Sequence, residues 1–281
     1  MKYVKIIGVP EHFNFPWKMC IENGEFQQYG IDLEWEDIPE GTGRICEMLR
    51  NETTDLAIVL TEGICKDISN GNESYIVQKY IETPLQWGIH VAHESNYDSL
   101  EDLKGKKIAV SRLGSGSHLM SMVFAKQMGW DINELEYVVV QSFDNAIKVL
   151  QNGEADYFMW EQFMTQPTVD AQIFRRLGIC PTPWSAFVVA VRKTFYDENI
   201  ALVKQLLEII NQTTREFKQI PSIDQTLSVQ FAQKVENIRQ WMGITRWSQK
   251  NYSKKEFETL NQSLIEWNLL NELLSFEKVI K

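Results

Sequence analysis

The stretch KGKKIAVSRLGSGSHLMSMVFAKQMGW, residues 104–130, decides how the chain is organised. Its apolar run 108–110 predicts a strand, and the small residues that follow, 114–118, predict a turn that opens a helix. Such a turn leaves backbone N–H groups and two serine hydroxyls at the end of a sheet, where the helix dipole favours an anionic or accepting group. The alternative is an ordinary strand-to-helix turn with Ser115 or Ser117 as the N-cap. The glycine spacing matches neither the dinucleotide fingerprint nor a Walker A loop.

Composition narrows the class of protein. The chain has 281 residues, enough for two domains, with 44% hydrophobic and 23% charged residues, as in an ordinary globular protein. Its net charge of −10 argues against nucleic acid and anionic membranes as partners. No segment is apolar for long enough to span a bilayer, so we expect no membrane insertion.

The N-terminus and the cysteines indicate the cellular compartment of the protein. Residues 1–8 read directly as a strand and lack the apolar region of a signal peptide. The four cysteines are scattered without a close pair, which argues against zinc and suits a reducing compartment. We therefore predict a cytoplasmic protein. A leader removed during maturation would leave a periplasmic or lipid-anchored location open.

Strands alternate with amphipathic helices along the chain, the pattern of βαβ units and doubly wound sheets. The run DLAIVL, 55–60, is nearly continuously apolar, as in a strand buried on both faces of a sheet. The pattern restarts at 108–110, after two extended segments within 75–92, and the apolar run 186–191 reads as a second crossing. We predict an α/β fold of two lobes, each a doubly wound sheet, with two hinge crossings and C-terminal helices packed on lobe one. The boundaries are 1–92 for the first part of lobe one, 93–183 for the inserted lobe two, and 184–281 for the return.

The two lobes share a weak internal sequence repeat. In each, a helix end is followed by Asp, a buried strand and then a glutamate, Glu62 in the first lobe and Glu161 in the second. Ligands of open α/β sheets bind outside the carboxyl ends of the strands, so both glutamates are placed to face one cleft. The alternative is that each glutamate caps the helix after it.

Further along, Ser222 and Ser253 start patterns that predict capping boxes, the first for a helix that reaches Ile238.

These features resemble the type II periplasmic-binding-protein fold. EHF at 11–13, EF at 25–26, YGIDL at 29–33 and GTG at 41–43 look like the opening of one group of solute-binding proteins. That group takes up alkanesulfonates, taurine and thiamine-pyrimidine precursors for ABC transporters. LEDLKGKKIAV at 100–110, followed by GSGSH at 114–118, is similar to the anion-binding turn in the second lobe of that group.

The resemblance implies a binding protein that could deliver a ligand to an ABC transporter permease, a role that the absent signal peptide makes doubtful. The cysteine-rich iron motif of the related pyrimidine-forming synthase is missing, so that chemistry is not predicted. We expect a small polar or heteroaromatic metabolite, anionic or zwitterionic, to bind in the inter-lobe cleft by hinge closure. The predicted contacts are, from lobe one, His12, Phe13, Gly41, Thr42, Gly43, Thr61, Glu62 and Trp87, and from lobe two, Ser115, Gly116, Ser117, His118, Trp160 and Glu161.

Two other functions remain open at this point. An enzyme on the same fold could act on a thiamine-pyrimidine-like or related cofactor precursor, but no catalytic constellation is recognisable and no catalytic residue or cofactor is predicted. A ligand-sensing subunit of a larger complex is the third possibility. His90 and His93 lie three apart, which in a strand puts them on opposite faces, so no metal site is predicted.

Overall fold

The structure, a computed structural model, describes all 281 residues and divides into two compact units. Unit 1 consists of Met1–Pro84, Pro183–Phe231 and Arg239–Lys281, and unit 2 of Leu85–Thr182 and Ala232–Ile238. The chain therefore passes between the units four times, whereas the sequence predicts two crossings. The additional pair of crossings brackets Ala232–Ile238, a short segment with unit 1 on both sides of it in sequence.

Ten strands form two five-stranded sheets, one in each unit. The strands are β1 (Lys2–Gly8), β2 (Ile31–Asp37), β3 (Leu56–Leu60), β4 (Ser74–Ile81), β5 (Gln86–Ala92), β6 (Ile108–Val110), β7 (Tyr137–Val139), β8 (Tyr157–Glu161), β9 (Phe174–Pro181) and β10 (Phe187–Arg192). Each sheet combines parallel strands with one strand, β10 or β5, that runs antiparallel to both of its neighbours, and the predicted α/β fold is confirmed.

Twelve α-helices surround these sheets. They are α1 (Phe15–Glu22), α2 (Thr42–Arg50), α3 (Thr61–Ser69), α4 (Gly116–Gln127), α5 (Phe143–Gln151), α6 (Gln166–Asp170), α7 (Lys193–Glu198), α8 (Ile200–Glu216), α9 (Ile223–Gln230), α10 (Val235–Ile244), α11 (Lys254–Glu266) and α12 (Phe276–Val279). None of them is both long and apolar enough to cross a bilayer.

The sheet of unit 1 has the strand order β2-β1-β3-β10-β4. β1 pairs in parallel with β2 and β3, and β10 pairs antiparallel with β3 and β4. All five residues of β3 are buried, because helices cover both faces of the centre of a doubly wound sheet. The carboxyl ends of β1, β2 and β3 consequently meet at one edge of this sheet.

The sheet of unit 2 has the order β7-β6-β8-β5-β9. β6 is parallel to β7 and β8, and β5 lies antiparallel between β8 and β9. The sequence places β5 in lobe one, but in the structure both of its partners belong to unit 2. The core of this unit packs small and aromatic side chains together, including Ala109, Ala146, Phe158 and Phe174.

The C-terminal helices test the two predicted capping boxes. Ser253 forms the predicted capping box with Glu256, and that prediction is confirmed. The predicted capping box at Ser222 is wrong, because Ser222 adopts a left-handed backbone with φ of 60° and its side chain makes no capping hydrogen bond to α9. The predicted helix to Ile238 is also wrong. It breaks into α9 and α10 at Ala232, which has φ of 49°, outside the helical region.

Candidate functional site

Most predicted site residues lie where parallel strands end. In unit 2, β6 leads into the turn 111–115 and β8 ends at Glu161. In unit 1, β2 leads to Gly41 and β3 to Thr61. Within each unit these residues share the edge of the sheet at which ligands of open α/β folds bind. Each unit therefore carries one group of candidate residues.

In unit 2 the turn after β6 positions the start of α4. Ser115 is the N-cap: its backbone is extended, with φ of −77° and ψ of 171°, and its hydroxyl accepts the N–H of His118 at 3.3 Å. This confirms that Ser115 caps α4. The N–H groups of Gly116 and Ser117, at the first two helical positions, have no acceptor in the chain, as is usual for a helix N-terminus. They form a small donor surface next to the positive end of the helix dipole.

The serine hydroxyls of this turn are partly used internally. Ser117, 1% exposed, accepts the N–H of Ser111 at 3.0 Å, which fixes the helix start to the end of β6. The Ser115 and Ser117 hydroxyl oxygens lie 3.1 Å apart, so one donates to the other. Ser117 therefore mainly anchors the start of α4 to the end of β6. The hydroxyl of the half-buried Ser115 is the more accessible of the two.

His118 is held by the same turn. The N–H of Gly114 donates to Nδ1 of His118 at 3.0 Å, and the imidazole packs edge-on against Tyr137 with ring centroids 4.6 Å apart. Since Nδ1 accepts, the proton of the neutral ring is on Nε2. Gly114 itself has φ of 81°, a left-handed conformation that favours glycine at this position.

Trp87, Trp160 and Glu161 lie at the same edge of unit 2. Trp87 opposes Glu161 in the antiparallel register of β5 and β8, and its ring is edge-on to Trp160, with centroids 6.3 Å apart. Trp87 is only 5% exposed, yet its indole N–H has no acceptor in the chain. Glu161 Oε2 accepts the backbone N–H groups of Phe163 at 2.8 Å and Met164 at 2.7 Å. These bonds hold the turn before α6 and are not a cap of that helix, whose N-cap is Thr165.

In unit 1 the turn before α2 contains Gly41, whose φ of 79° and ψ of −163° suit glycine alone. The α2 start packs closely against α3: a β-carbon at Gly63 would lie 2.2 Å from the Thr42 methyl group. A side chain at position 63 would push this turn outward. The predicted residues 41–43 are therefore held against the first turn of α3, which contains Thr61 and Glu62.

Glu62 is the most unusual group of unit 1. Its carboxyl is 3% exposed, and Oε2 accepts the indole N–H of Trp184 at 2.7 Å, whereas Oε1 has no hydrogen-bond partner. Burial raises its pKa from 4.5 to about 7, an effect that the Trp184 hydrogen bond only partly opposes. Thr61 is fully buried, and both its N–H and its hydroxyl donate to the carbonyl of Ala186.

His12 and Phe13 lie in the aromatic core of unit 1. The His12 ring is fully buried, 4.3 Å from the Phe231 ring and 5.1 Å from that of Trp241. Phe13 is 4% exposed, and its carbonyl accepts the Tyr80 hydroxyl at 2.7 Å. The structure does not bring these two side chains to the surface, and their role as ligand contacts stays a prediction.

Sequence reasoning passed over two residues that the structure places at the edge of unit 1. Glu11 follows β1, and burial raises its pKa from 4.5 to about 7, with Oε2 buried and unpartnered. Trp184, the partner of Glu62, belongs to a proline-bounded stretch that reads as a simple loop. The position of Glu11 directly before His12 could have singled it out, but nothing in the sequence pairs Trp184 with Glu62.

Two mixed α/β units, with the second inserted into the first and helices following the return, constitute the type II periplasmic-binding-protein fold, as the sequence predicts. The family model described as Ca3427-like PBP matches residues 87–180, which is most of unit 2. A comparison with curated protein sequences gave no match.

Solved structures share this fold over the whole chain. The CA3427 gene product of Candida albicans, described as having the generic periplasmic binding protein fold, superposes with a TM-score of 0.89 at 24% identity, covering 100% of this chain and 96% of that one. The alkanesulfonate-binding protein SsuA of Xanthomonas axonopodis pv. citri, bound to MOPS, gives 0.83 at 14% identity, with 100% and 98% covered. PhnD1 of Prochlorococcus marinus, in complex with methylphosphonate, gives 0.59 at 13% identity, with 96% and 99% covered.

Proposed function

We propose that this chain is a small-molecule-binding protein rather than an enzyme, and that its ligand carries an anionic group. The observation that carries the proposal is a set of donors without acceptors at one edge of unit 2. These are the N–H groups of Gly116 and Ser117 at the start of α4 and the indole N–H of Trp87. The indole is buried, and an unsatisfied buried donor is costly, so an accepting ligand group would relieve it.

The ligands of two structural neighbours support this proposal. MOPS carries a sulfonate and methylphosphonate a phosphonate, and both are compact oxyanions that suit a helix N-terminus. We further propose that Ser115 and His118 contact the same group, and that the half-buried ring of Trp160 lies against an apolar or flat part of the ligand.

We propose that unit 1 contributes Gly41, Thr42, Gly43, Thr61 and Glu62 to the same ligand and that binding closes the two units on it. The proposal is supported by the placement of these residues at the carboxyl edge of their sheet. A decrease in the radius of gyration in solution scattering, at saturating ligand, tests the closure. An unchanged radius with ligand bound would count against it.

The decisive experiment removes one donor and leaves the helix intact. Gly116→Pro deletes the N–H at the first helical position, where proline is favoured, and Ser115 already has the extended backbone that proline requires before it. Gly116→Ala is the matched control, because it adds a methyl group and keeps the N–H. Affinities for MOPS, propanesulfonate and methylphosphonate are measured by calorimetry.

We expect the parent to bind at least one of these anions and Gly116→Ala to bind it within a few-fold. Gly116→Pro should weaken binding about tenfold to a hundredfold, the effect of losing one charge-assisted hydrogen bond. Unfolding midpoints of both variants serve as the check on folding. Equal affinity of the two variants, or no binding of any anion by the parent, would overturn the proposal.

We also propose a cytoplasmic location, with ABC-transporter delivery as the alternative that an exported protein would favour. All four cysteines are free and buried, which is compatible with a reducing compartment. Fractionation of the native cells, with the protein detected by antibody, tests the location. Recovery from the periplasm or the membrane fraction would contradict it.

A further inference from the structure

The chain contains three Asn-Gly pairs, and each of them ends a helix. Asn23, Asn70 and Asn152 are the C-caps of α1, α3 and α5, and all three residues are exposed. The glycine that follows has a left-handed backbone in each pair, with φ of 69°, 98° and 69°. Glycine suits this position because it adopts the left-handed conformation without strain.

An Asn-Gly pair can lose the asparagine amide without an enzyme. The backbone nitrogen of the glycine attacks the side-chain carbonyl carbon of the asparagine and forms a C–N bond. The amide nitrogen leaves as ammonia, together with the proton that the glycine nitrogen gives up. Water then opens the succinimide ring at either carbonyl, which yields aspartate or isoaspartate. Glycine favours the attack because it carries no side chain that would hinder it.

The three helix ends oppose this reaction in the same way. Each glycine N–H donates to the carbonyl three residues before it, at 3.0 Å for Gly24 and Gly71 and at 3.1 Å for Gly153. The N–H of the next residue completes the cap by donating to the carbonyl five residues before it. A nitrogen held in such a bond is a poor nucleophile. The rate in the folded chain therefore depends on how easily each helix end opens.

The end of α3 is anchored directly after its glycine. Asn72 is only 2% exposed, and its side-chain amide donates to the carbonyl of Cys46 at 3.2 Å and to Asp67 Oδ2 at 2.7 Å. Opening this cap would break two buried or half-buried hydrogen bonds in addition to those of the helix end. Asn70 is therefore held away from the reactive conformation.

The end of α1 is anchored by an aromatic contact. Phe26, two residues after Gly24, is 1% exposed, and its ring stacks on the buried Trp17 with centroids 5.9 Å apart. Between them, the half-buried Glu25 accepts the Thr213 hydroxyl at 3.3 Å. Opening this cap would pull on a packed side chain of the core, so Asn23 is also held in place.

The end of α5 is anchored least. Residues 151–154 are all exposed, and the carboxylate of Glu154 accepts the side-chain amide of Asn152 at 3.0 Å, a contact within the cap itself. The first buried side chain after Gly153 is the methyl group of Ala155. Opening this cap exposes little apolar surface and breaks no buried side-chain hydrogen bond.

We infer that Asn152 is a site of spontaneous deamidation in the folded protein, and that Asn23 and Asn70 are protected. The product carries one more negative charge at the C-terminal end of α5, where the helix dipole disfavours it and Glu154 lies close. Isoaspartate also adds a backbone carbon, which displaces the N–H groups of the cap. The modified chain should therefore have a lower unfolding midpoint than the parent.

The test compares the three sites within one molecule. The protein is incubated in mildly alkaline buffer, folded or in guanidinium chloride, and conversion at each asparagine is followed by mass spectrometry of proteolytic peptides. In the folded chain Asn152 should convert about tenfold faster than Asn23 and Asn70. In guanidinium chloride the three rates should come within a few-fold of one another, because no cap remains. Equal rates in the folded chain, or a faster rate at Asn23 or Asn70, would overturn the inference.

Two variants test the physical reason. Asn152→Gln removes the reactive pair, so the more acidic species that accumulates on ion exchange of the aged parent should disappear; its persistence would contradict the assignment. Asn72→Ser removes the anchor after Gly71 and should increase conversion at Asn70, with the unfolding midpoint as the check on folding. No increase at Asn70 in the folded variant would overturn the anchoring argument that singles out Asn152.

Discussion

Replacing Glu62 by glutamine should change how the stability of the unliganded protein depends on pH. The carboxyl is 3% exposed and its pKa is raised from 4.5 to about 7 by burial. The folded chain therefore holds this proton more tightly than the unfolded chain does. This tighter proton binding contributes its full amount to the free energy of unfolding below pH 4.5, and the contribution is lost as the pH rises through about 7.

The size of the effect follows from the shift. One pKa unit corresponds to about 1.4 kcal/mol, so a rise from 4.5 to about 7 makes the parent about 3 kcal/mol less stable at high pH than at low pH through this one group. Glutamine has no proton to lose and still accepts the Trp184 N–H through its amide oxygen. Relative to the parent, Glu62→Gln should gain most of that amount between pH 5 and pH 9.

The assay is urea unfolding of the parent, of Glu62→Gln and of Glu208→Gln, followed by tryptophan fluorescence at each pH from 5 to 9. Glu208 lies at an exposed position of α8, so Glu208→Gln is the control for the loss of one negative charge. The quantity compared is the free energy of unfolding of each variant minus that of the parent. For Glu62→Gln this difference should rise with pH and level off above about pH 8, since ionisation of the parent is then complete. Parallel profiles of parent and Glu62→Gln would refute the reasoning, because they would mean that Glu62 is ionised in both states or paired with an unrecognised cation.

Three further outcomes are expected. Glu161→Gln should lower the free energy of unfolding without ligand by about 1–3 kcal/mol, because a neutral amide oxygen is a weaker acceptor than the carboxylate for the N–H groups of Phe163 and Met164; an unchanged midpoint in thermal unfolding would contradict the role of Glu161 in holding this turn. Ser253→Ala should cost about 1 kcal/mol by removing the capping box with Glu256, measured by urea unfolding, and no loss would mean that the end of α11 is held by other contacts. The four cysteine thiols are buried and their pKa is raised, so a disulfide reagent should titrate none of them quickly in the native protein and all four after denaturation; a fast-reacting thiol would show that one of them is accessible.

Local patterns predicted much of the fold. The short apolar runs 55–60 and 108–110 form strands β3 and β6. A short, continuously apolar run suits a strand that is buried on both faces of a doubly wound sheet. The turn before α4 also folded as expected, with Ser115 as its cap, since small residues and an N-cap serine form that structure from local contacts alone. The predicted placement of candidate residues at strand ends follows from the same topology.

The sequence by itself determined the α/β class, the strand-to-helix turn and the capping box at Ser253, because each depends on neighbours within a few residues. Only the tertiary structure decided that β5 pairs within unit 2, that Ala232–Ile238 belongs to that unit, and that Trp184 meets Glu62 across more than a hundred residues of chain. Strand pairing, burial and charge compensation depend on which segments meet in space. For that reason the buried, unpaired carboxyl oxygens of Glu11 and Glu62 were not recognisable in the sequence.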